Sequence, residues 1–307
     1  MNLVIEKRQI KNWLNELKKE NIVIDSKKSV LPIKQHFFPP KEDLFIFNKE
    51  TKELKSPDYK KEIIIICHYL GQLEAMTQLD EIMEKPNPDF FYWQRRKKST
   101  LIGLIDESVQ VAPGGDLILE KINSKQYKVL ILTDKGKKII KNKFFKEVDK
   151  PEVKNYSGEE NLFKEKLLDS ELLANAVEWS KNHKIWDELA GKCLGCGICT
   201  YVCPLCHCFS IDDRVALDDR ECIRCRQWDA CTLPEFAKIA GNHNFHKTIK
   251  ERYYNWFYHK FVRAYQEYGK AQCVACGNCK RNCPAGINIG DILKEIVEDY
   301  KKYGKSI

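Results

Sequence analysis

Long apolar runs are missing from this sequence. The longest, Ile63–Cys67, falls far short of the roughly 20 residues needed to cross a bilayer, so no membrane-spanning helix is expected. The charged start, MNLVIEKRQIKNWLNELKKE, reads as an amphipathic helix. It lacks an apolar stretch followed by a small-residue cleavage site, so it is not a secretory signal, and a soluble, cytoplasmic protein is expected. Phosphate-cradling loops are missing too. The Gly114–Gly115 pair in VAPGGD is a lone turn signal, and neither G-x-G-x-x-G nor a P-loop occurs. Cysteine is scarce in the first 192 residues, where Cys67 stands alone at the end of an apolar run and reads as a small buried side chain. The other thirteen of the fourteen cysteines fall between 193 and 283. A secreted disulfide scaffold would spread its bridges through the fold, whereas clustered thiols in a cytoplasmic chain point to metal.

What is present divides into two halves. Residues 1–165 alternate short apolar runs with amphipathic stretches. Strands are expected at Glu62–Cys67, Ser99–Ile105, Asp116–Glu120 and Tyr127–Leu132, with a helix over GQLEAMTQLDEIMEK that stops before Pro86. Strand, helix, strand is the signature of an α/β domain. The charged segment Lys150–Glu160 reads as a linker. A helix through LLDSELLANAVEWSKNHKIWDELA then leads into a second domain, residues 166–307. The expected class is therefore α+β: an N-terminal α/β domain, then a mainly helical, bacterial-ferredoxin-like 4Fe-4S domain. The formal net charge of +8 is spread along the chain and reads as a solvated lysine-rich surface. Its sharpest run, Arg95–Lys98, follows the aromatics Phe90–Trp93, a mix that nucleic-acid binders use, but no reading motif surrounds it.

The chemistry lies in the cysteines. Cys193-x2-Cys196-x2-Cys199-x3-Cys203-Pro204 is repeated with identical spacing as Cys273-x2-Cys276-x2-Cys279-x3-Cys283-Pro284. This is the bacterial ferredoxin pattern for [4Fe–4S] clusters, in which the fourth cysteine ligates the cluster of the other motif. Three thiolates two residues apart wrap one face of a cubane, and the fourth follows where the chain turns away. Cluster A is assigned Cys193, Cys196, Cys199 and Cys283; cluster B is assigned Cys273, Cys276, Cys279 and Cys203. Gly195, Gly197 and Gly277 would let backbone amides approach the sulfurs. Zinc asks for only four cysteines, usually as two C-x-x-C pairs, so a doubled motif is too elaborate for it.

Five cysteines remain in the insert between the motifs (204–272): Cys206, Cys208, Cys222, Cys225 and Cys231. Four of these five are expected to form a third site, with Cys206, Cys208 and Cys231 as three ligands and Cys222 or Cys225 as the fourth. A third [4Fe–4S] cluster is the first reading. Zinc is the alternative, since C-x-C with C-x-x-C suits a tetrahedral ion, and unliganded thiols are the remaining reading. His207 reads as a packed histidine. The aromatic stretch FHKTIKERYYNWFYHKFVRAYQEY (245–268) is a long helix, explained by core packing and given no redox role.

In their order, "CLGCGICTYVCPLCHCF", "RQWDAC", "AGNHN", "HKF" and "CVACGNCKRNCPAGINI" resemble one family. It comprises the iron–sulfur subunit of anaerobic sulfite reductase and the beta subunit of soluble sulfhydrogenase, and its relatives accompany heterodisulfide-reductase-like complexes. The match runs over residues 186–292 and is weaker in the first half, at "PNPDFFYWQRRKKSTLIGL" and "GGDLIL". Members often carry Arg-Pro-Cys-Asp after the first strong strand, where this chain reads "CHYLGQLEAM", and a cysteine-containing stretch after "IGL", where it reads "IDESVQVAPGGD". The resemblance implies a non-catalytic electron-transfer subunit of a hetero-oligomer. It would work between a catalytic redox subunit and an FAD- and NAD(P)H-binding reductase subunit. The catalytic partner would be a hydrogenase, a sulfite or sulfur reductase, or a heterodisulfide-reductase-like enzyme. Two other readings compete: a stand-alone iron–sulfur catalytic subunit, and a metal-stabilised nucleic-acid-binding protein.

Overall fold

The computed structural model describes residues 2–59, 62–109, 112–149 and 169–304. The expected linker at 150–160 and the expected boundary at 165/166 lie outside the described residues. The strands are β1 (Asn2–Glu6), β2 (Ile22–Asp25), β3 (Lys41–Asn48), β4 (Leu54–Lys55), β5 (Ile63–Cys67), β6 (Ser99–Ile105), β7 (Leu117–Lys121), β8 (Gln126–Ile131), β9 (Phe145–Val148), β10 (Phe209–Val215) and β11 (Glu221–Trp228). The described residues fall into two compact units, one within Met1–Phe38 and Asp58–Glu160, the other within Pro39–Pro57 and Asn161–Ile307.

The first unit is built on a seven-stranded sheet in the order β2-β5-β6-β7-β8-β1-β9. The β2, β5, β6 and β7 pairings are parallel, and those from β7 through β8 and β1 to β9 are antiparallel. Branched runs such as Ile63–Ile66 and Leu117–Leu119 suit strands covered on both faces. The chain start differs from its expected helix. Residues 2–6 form β1, because the apolar Leu3-Val4-Ile5 run pairs with β8 on one side and β9 on the other. The helix α1 begins only at Lys7 and runs to Leu17, burying Ile10, Trp13 and Leu17 on one stripe. Helix α2 (Leu70–Glu84) follows β5 as expected, and Cys67 at the end of β5 is fully buried. Burial pushes its thiol up to about 12, which leaves it inert. In helix α3 (Phe90–Lys97), Arg96 pairs with Asp80 at 3.0 Å and Arg95 lies 3.6 Å over the Tyr59 ring. Both arginines of the basic run are thus engaged within the unit. A short helix α4 (Asp134–Lys138), capped by the Thr133 side chain, follows β8.

The second unit holds a four-stranded antiparallel sheet, β10-β11-β3-β4, and a helical body. Pro39–Pro57, placed with the first half on sequence, supplies two of these strands. The lead-in helix breaks in two. Helix α5 (Ser170–Trp179) is capped by Asp169, and helix α6 (Ile185–Lys192) restarts after a short turn that positions the Ser180 carbonyl to accept the Trp186 indole N–H at 2.6 Å. Helix α7 (Ile198–Tyr201) sits in the first cysteine motif. The aromatic stretch is helix α8 (Ile249–Phe257), a π-helical turn over Tyr258–Arg263, and helix α9 (Ala264–Tyr268). Thr248 and Glu251 form a reciprocal capping box at its start. Helix α10 (Asn278–Arg281) sits in the second cysteine motif, and helix α11 (Ile289–Tyr303) completes the unit. Helix α11 buries Ile289, Ile292, Leu293 and Ile296, the i, i+3, i+4, i+7 stripe, against Trp186, Phe257 and Phe261. Side chains as buried as these stabilise the fold by about 1.5–3 kcal/mol each. The cysteine motifs pack on this core.

Candidate metal centre

The two motifs fold alike. Gly197 and Gly277 both adopt left-handed backbone (φ 75° and 70°) and cap the four-residue helices α7 and α10. A side chain at Gly197 would meet Ala230 at 2.9 Å. Two residues earlier in each motif, Gly195 and Ala275 are also left-handed, at φ 63° and 53°. That shared turn aims backbone N–H groups at sulfur: the Gly195 amide donates to Cys193 Sγ at 3.4 Å. The Ile287 amide donates to Cys283 Sγ at 3.4 Å.

Two neighbouring cavities collect the repeated cysteines. One is lined by Cys193, Cys196, Cys199 and Cys283, together with Cys279, Thr232, Tyr253 and Trp256. The other is lined by Cys203, Cys273, Cys276 and Cys279, together with Trp256 and Lys260. Cys196 alone of the fourteen cysteines is exposed, and the neighbouring Leu194 is 68% exposed, so the first cavity lies at the surface of the unit.

The thiols resist ionisation in these positions. Burial, with the charges of Cys279 and Cys193 adding to it, pushes Cys199 up to about 12. Burial raises Cys273, Cys276 and Cys279 to about 11, and the charge of Cys203 adds to the effect. Four such thiolates become favourable only when a cation shares them. Two buried donors in the same linings also lack a protein partner: the Trp256 indole Nε1 and the Thr232 hydroxyl. A buried N–H without an acceptor is costly, and the bridging sulfides of a cubane are acceptors of the required kind. Thiolate donors, amides aimed at sulfur and orphaned donors together fit [4Fe–4S] clusters. Among the described residues, no three His, Cys, Asp or Glu side chains converge closely enough to hold a single metal ion.

Of the five insert cysteines, the structure brings three together. Cys231 is hydrogen-bonded with Cys208 and feels the charges of Cys206 and Cys199, all of which hold its thiol well above the ordinary range. The Asp229 amide donates to the Cys208 carbonyl at 3.0 Å and closes the open end of the β10–β11 hairpin, where Phe209 faces Trp228. Cys222 is not brought there. It stands six residues before Trp228 on β11, about 20 Å away at 3.3 Å per residue. Cys225 is three residues from Trp228, and strand alternation turns it to the sheet face opposite Cys222. His207 has its Nδ1 3.1 Å from the Leu205 carbonyl oxygen and its ring 5.7 Å from that of His259. Burial holds His259 neutral, with its pKa pushed down to about 4.

Two residues passed over on sequence belong to the site. Trp256 lines both cavities, and Lys260 is 5% exposed with its Nζ 3.3 Å from Cys203 Sγ. The available signal was a lysine inside an aromatic helix, in "HKF", four residues after a tryptophan.

Residues 192–287 match the family model described as "4Fe-4S dicluster domain". The chain is also 28% identical, over 295 residues, to "Sulfhydrogenase 2 subunit beta" of Pyrococcus furiosus, an alignment covering 91% of this chain and 86% of the relative. No solved structure matches the chain. The resemblance read from the cysteine motifs is therefore borne out. The chain is similar to a sulfhydrogenase beta subunit, and its residues 192–287 match an iron–sulfur dicluster model. Among the described residues, no helix is long and apolar enough to cross a membrane.

Proposed function

We propose that this chain is a non-catalytic electron-transfer subunit of a cytoplasmic oxidoreductase complex, set between a catalytic redox subunit and an FAD- and NAD(P)H-binding one. The observation that carries the reading is the contiguity of the cysteine groups. The two cavities share Trp256 and Cys279, and Cys231 of the insert group feels the charge of Cys199. When bound, [4Fe–4S] clusters supply one-electron chemistry. Cys193, Cys196, Cys199 and Cys283 would hold one, and Cys273, Cys276, Cys279 and Cys203 the other. Cys206, Cys208 and Cys231 would supply three ligands of a third. Tyr253 and Trp256, which line the cavities beside the cysteines, would keep water from the sulfurs. Cys196 and Leu194 offer the surface at which a partner can approach.

The test is anaerobic isolation of the chain with its native partners, followed by iron, acid-labile sulfide, zinc and flavin analysis. About twelve irons per chain, at four per cubane, a flavin-containing partner and NAD(P)H-dependent appearance of reduced-cluster EPR signals are expected. A chain that always isolates alone, with zinc and no sulfide, overturns the reading.

A further inference from the structure

Lys260 is a cation buried against sulfur, and the backbone is shaped to hold it there. In the π-helical turn the Ala264 N–H reaches back five residues to the His259 carbonyl, which releases the Lys260 carbonyl from the helix ladder. That carbonyl accepts instead from the Gln272 N–H at 2.9 Å. The Lys260 ammonium in turn donates to the Gln272 carbonyl at 2.6 Å and to Cys203 Sγ at 3.3 Å. Lys260 and Gln272 are therefore clamped reciprocally, one residue before Cys273. The Trp256 ring, 5.9 Å from Nζ, covers the ammonium from the previous turn.

Arg252, the buried cation whose charge reaches Cys193, makes no equivalent contact with sulfur among the described residues. Arg252 gives its N–H groups to three carbonyl oxygens, those of Thr232 at 3.0 Å, His246 at 3.3 Å and Lys247 at 2.8 Å. The two cavities are thus alike in cysteines, but of these two buried cations only Lys260 donates directly to a cysteine sulfur.

We propose that Lys260 is a fixed counter-charge that raises the reduction potential of the site formed by Cys203, Cys273, Cys276 and Cys279. The inference rests on the iron–sulfur reading above. An added electron makes that site more negative, and a buried positive charge beside a ligand sulfur favours the more negative state. Lys260 acts through the Cys203 sulfur, so it is a positioning and tuning residue and not a catalytic one.

The experiment is a redox titration, followed by EPR, of the holoprotein and of the variants Lys260→Met, Lys260→Gln and Lys260→Arg. The neutral variants are expected to lower the potential of this site by at least tenfold in its reduction equilibrium, about 59 mV for one electron. Lys260→Arg should keep it near the wild-type value, and the site holding Cys193 should move much less in every variant. An unmoved potential in a neutral variant that retains its iron overturns the proposal. If both neutral variants lose this site's iron, the arginine variant decides. Iron restored at the wild-type potential supports the charge; failure to restore it means that the shape of the lysine was what mattered, and the proposal falls. Wild-type protein without acid-labile sulfide would instead overturn the iron–sulfur reading itself.

Discussion

The crossed division of the cysteines makes a prediction that paired substitutions decide. Cys203 is only four residues from Cys199 in sequence, yet it lines the cavity of Cys273, Cys276 and Cys279, while Cys283 lines that of Cys193, Cys196 and Cys199. If each chain segment held its own cluster, Cys193→Ala and Cys203→Ala would damage one site between them. With crossed ligands they damage two. At four irons per cubane and with the three proposed sites loaded, the Cys193/Cys203 double variant should keep about four irons per chain if crossed and about eight if local. The Cys203/Cys273 double variant gives the opposite pair, about eight if crossed and about four if local. Alanine is preferred because serine can still ligate. Iron and acid-labile sulfide are counted after anaerobic reconstitution, with circular dichroism checking that the helical body persists. The single variant Cys273→Ala shows whether the unit tolerates loss of one site. About eight irons in the Cys193/Cys203 variant and about four in the Cys203/Cys273 variant would refute the crossed arrangement.

Three further expectations follow from the same geometry. Trp256→Phe keeps the ring but removes the partnerless buried N–H. It should leave the iron content unchanged and lower the potential of at least one of the two sites the ring lines, as read by redox titration; unchanged potentials would mean that the indole donates to no cluster sulfur. Cys231→Ala should cost about four irons and Cys222→Ala none, because β11 carries Cys222 far from Cys208. Arg226 and Glu42 form a buried pair at 2.6 Å, with side chains 5% and 2% exposed. Arg226→Met should destabilise the unit by about 3–5 kcal/mol in urea unfolding, and Glu42→Leu added to it should recover much of the loss. A double variant no more stable than the single one would contradict this.

Much of the fold was legible in local pattern. Ile63–Cys67 and Ser99–Ile105 form strands at the expected positions, and α2 follows within a residue of its expected start. The misses share one cause. Leu3-Val4-Ile5 runs into a good helical stripe, so the whole start reads as helix until β8 and β9 are known to flank it. Pro39–Pro57 carries nothing that ties it to the second unit until β3 is seen paired with β11.

The sequence by itself determined the repeated eight-cysteine motif and, with it, an iron–sulfur dicluster region. Covalent spacing sets which thiols can wrap one face of a cubane, and the glycines at 197 and 277 allow the turns that this requires. Only the tertiary structure decided the rest. Cys222-x2-Cys225 has the spacing of a metal knuckle, but pairing with β10 and β3 extends it, and a strand points residues three apart to opposite faces. Lys260 reads as one more charge on an aromatic helix. It becomes a counter-charge because a widened helical turn and the returning chain at Gln272 bring its ammonium to Cys203, 57 residues earlier in sequence. No local pattern encodes a contact at that separation; packing makes it.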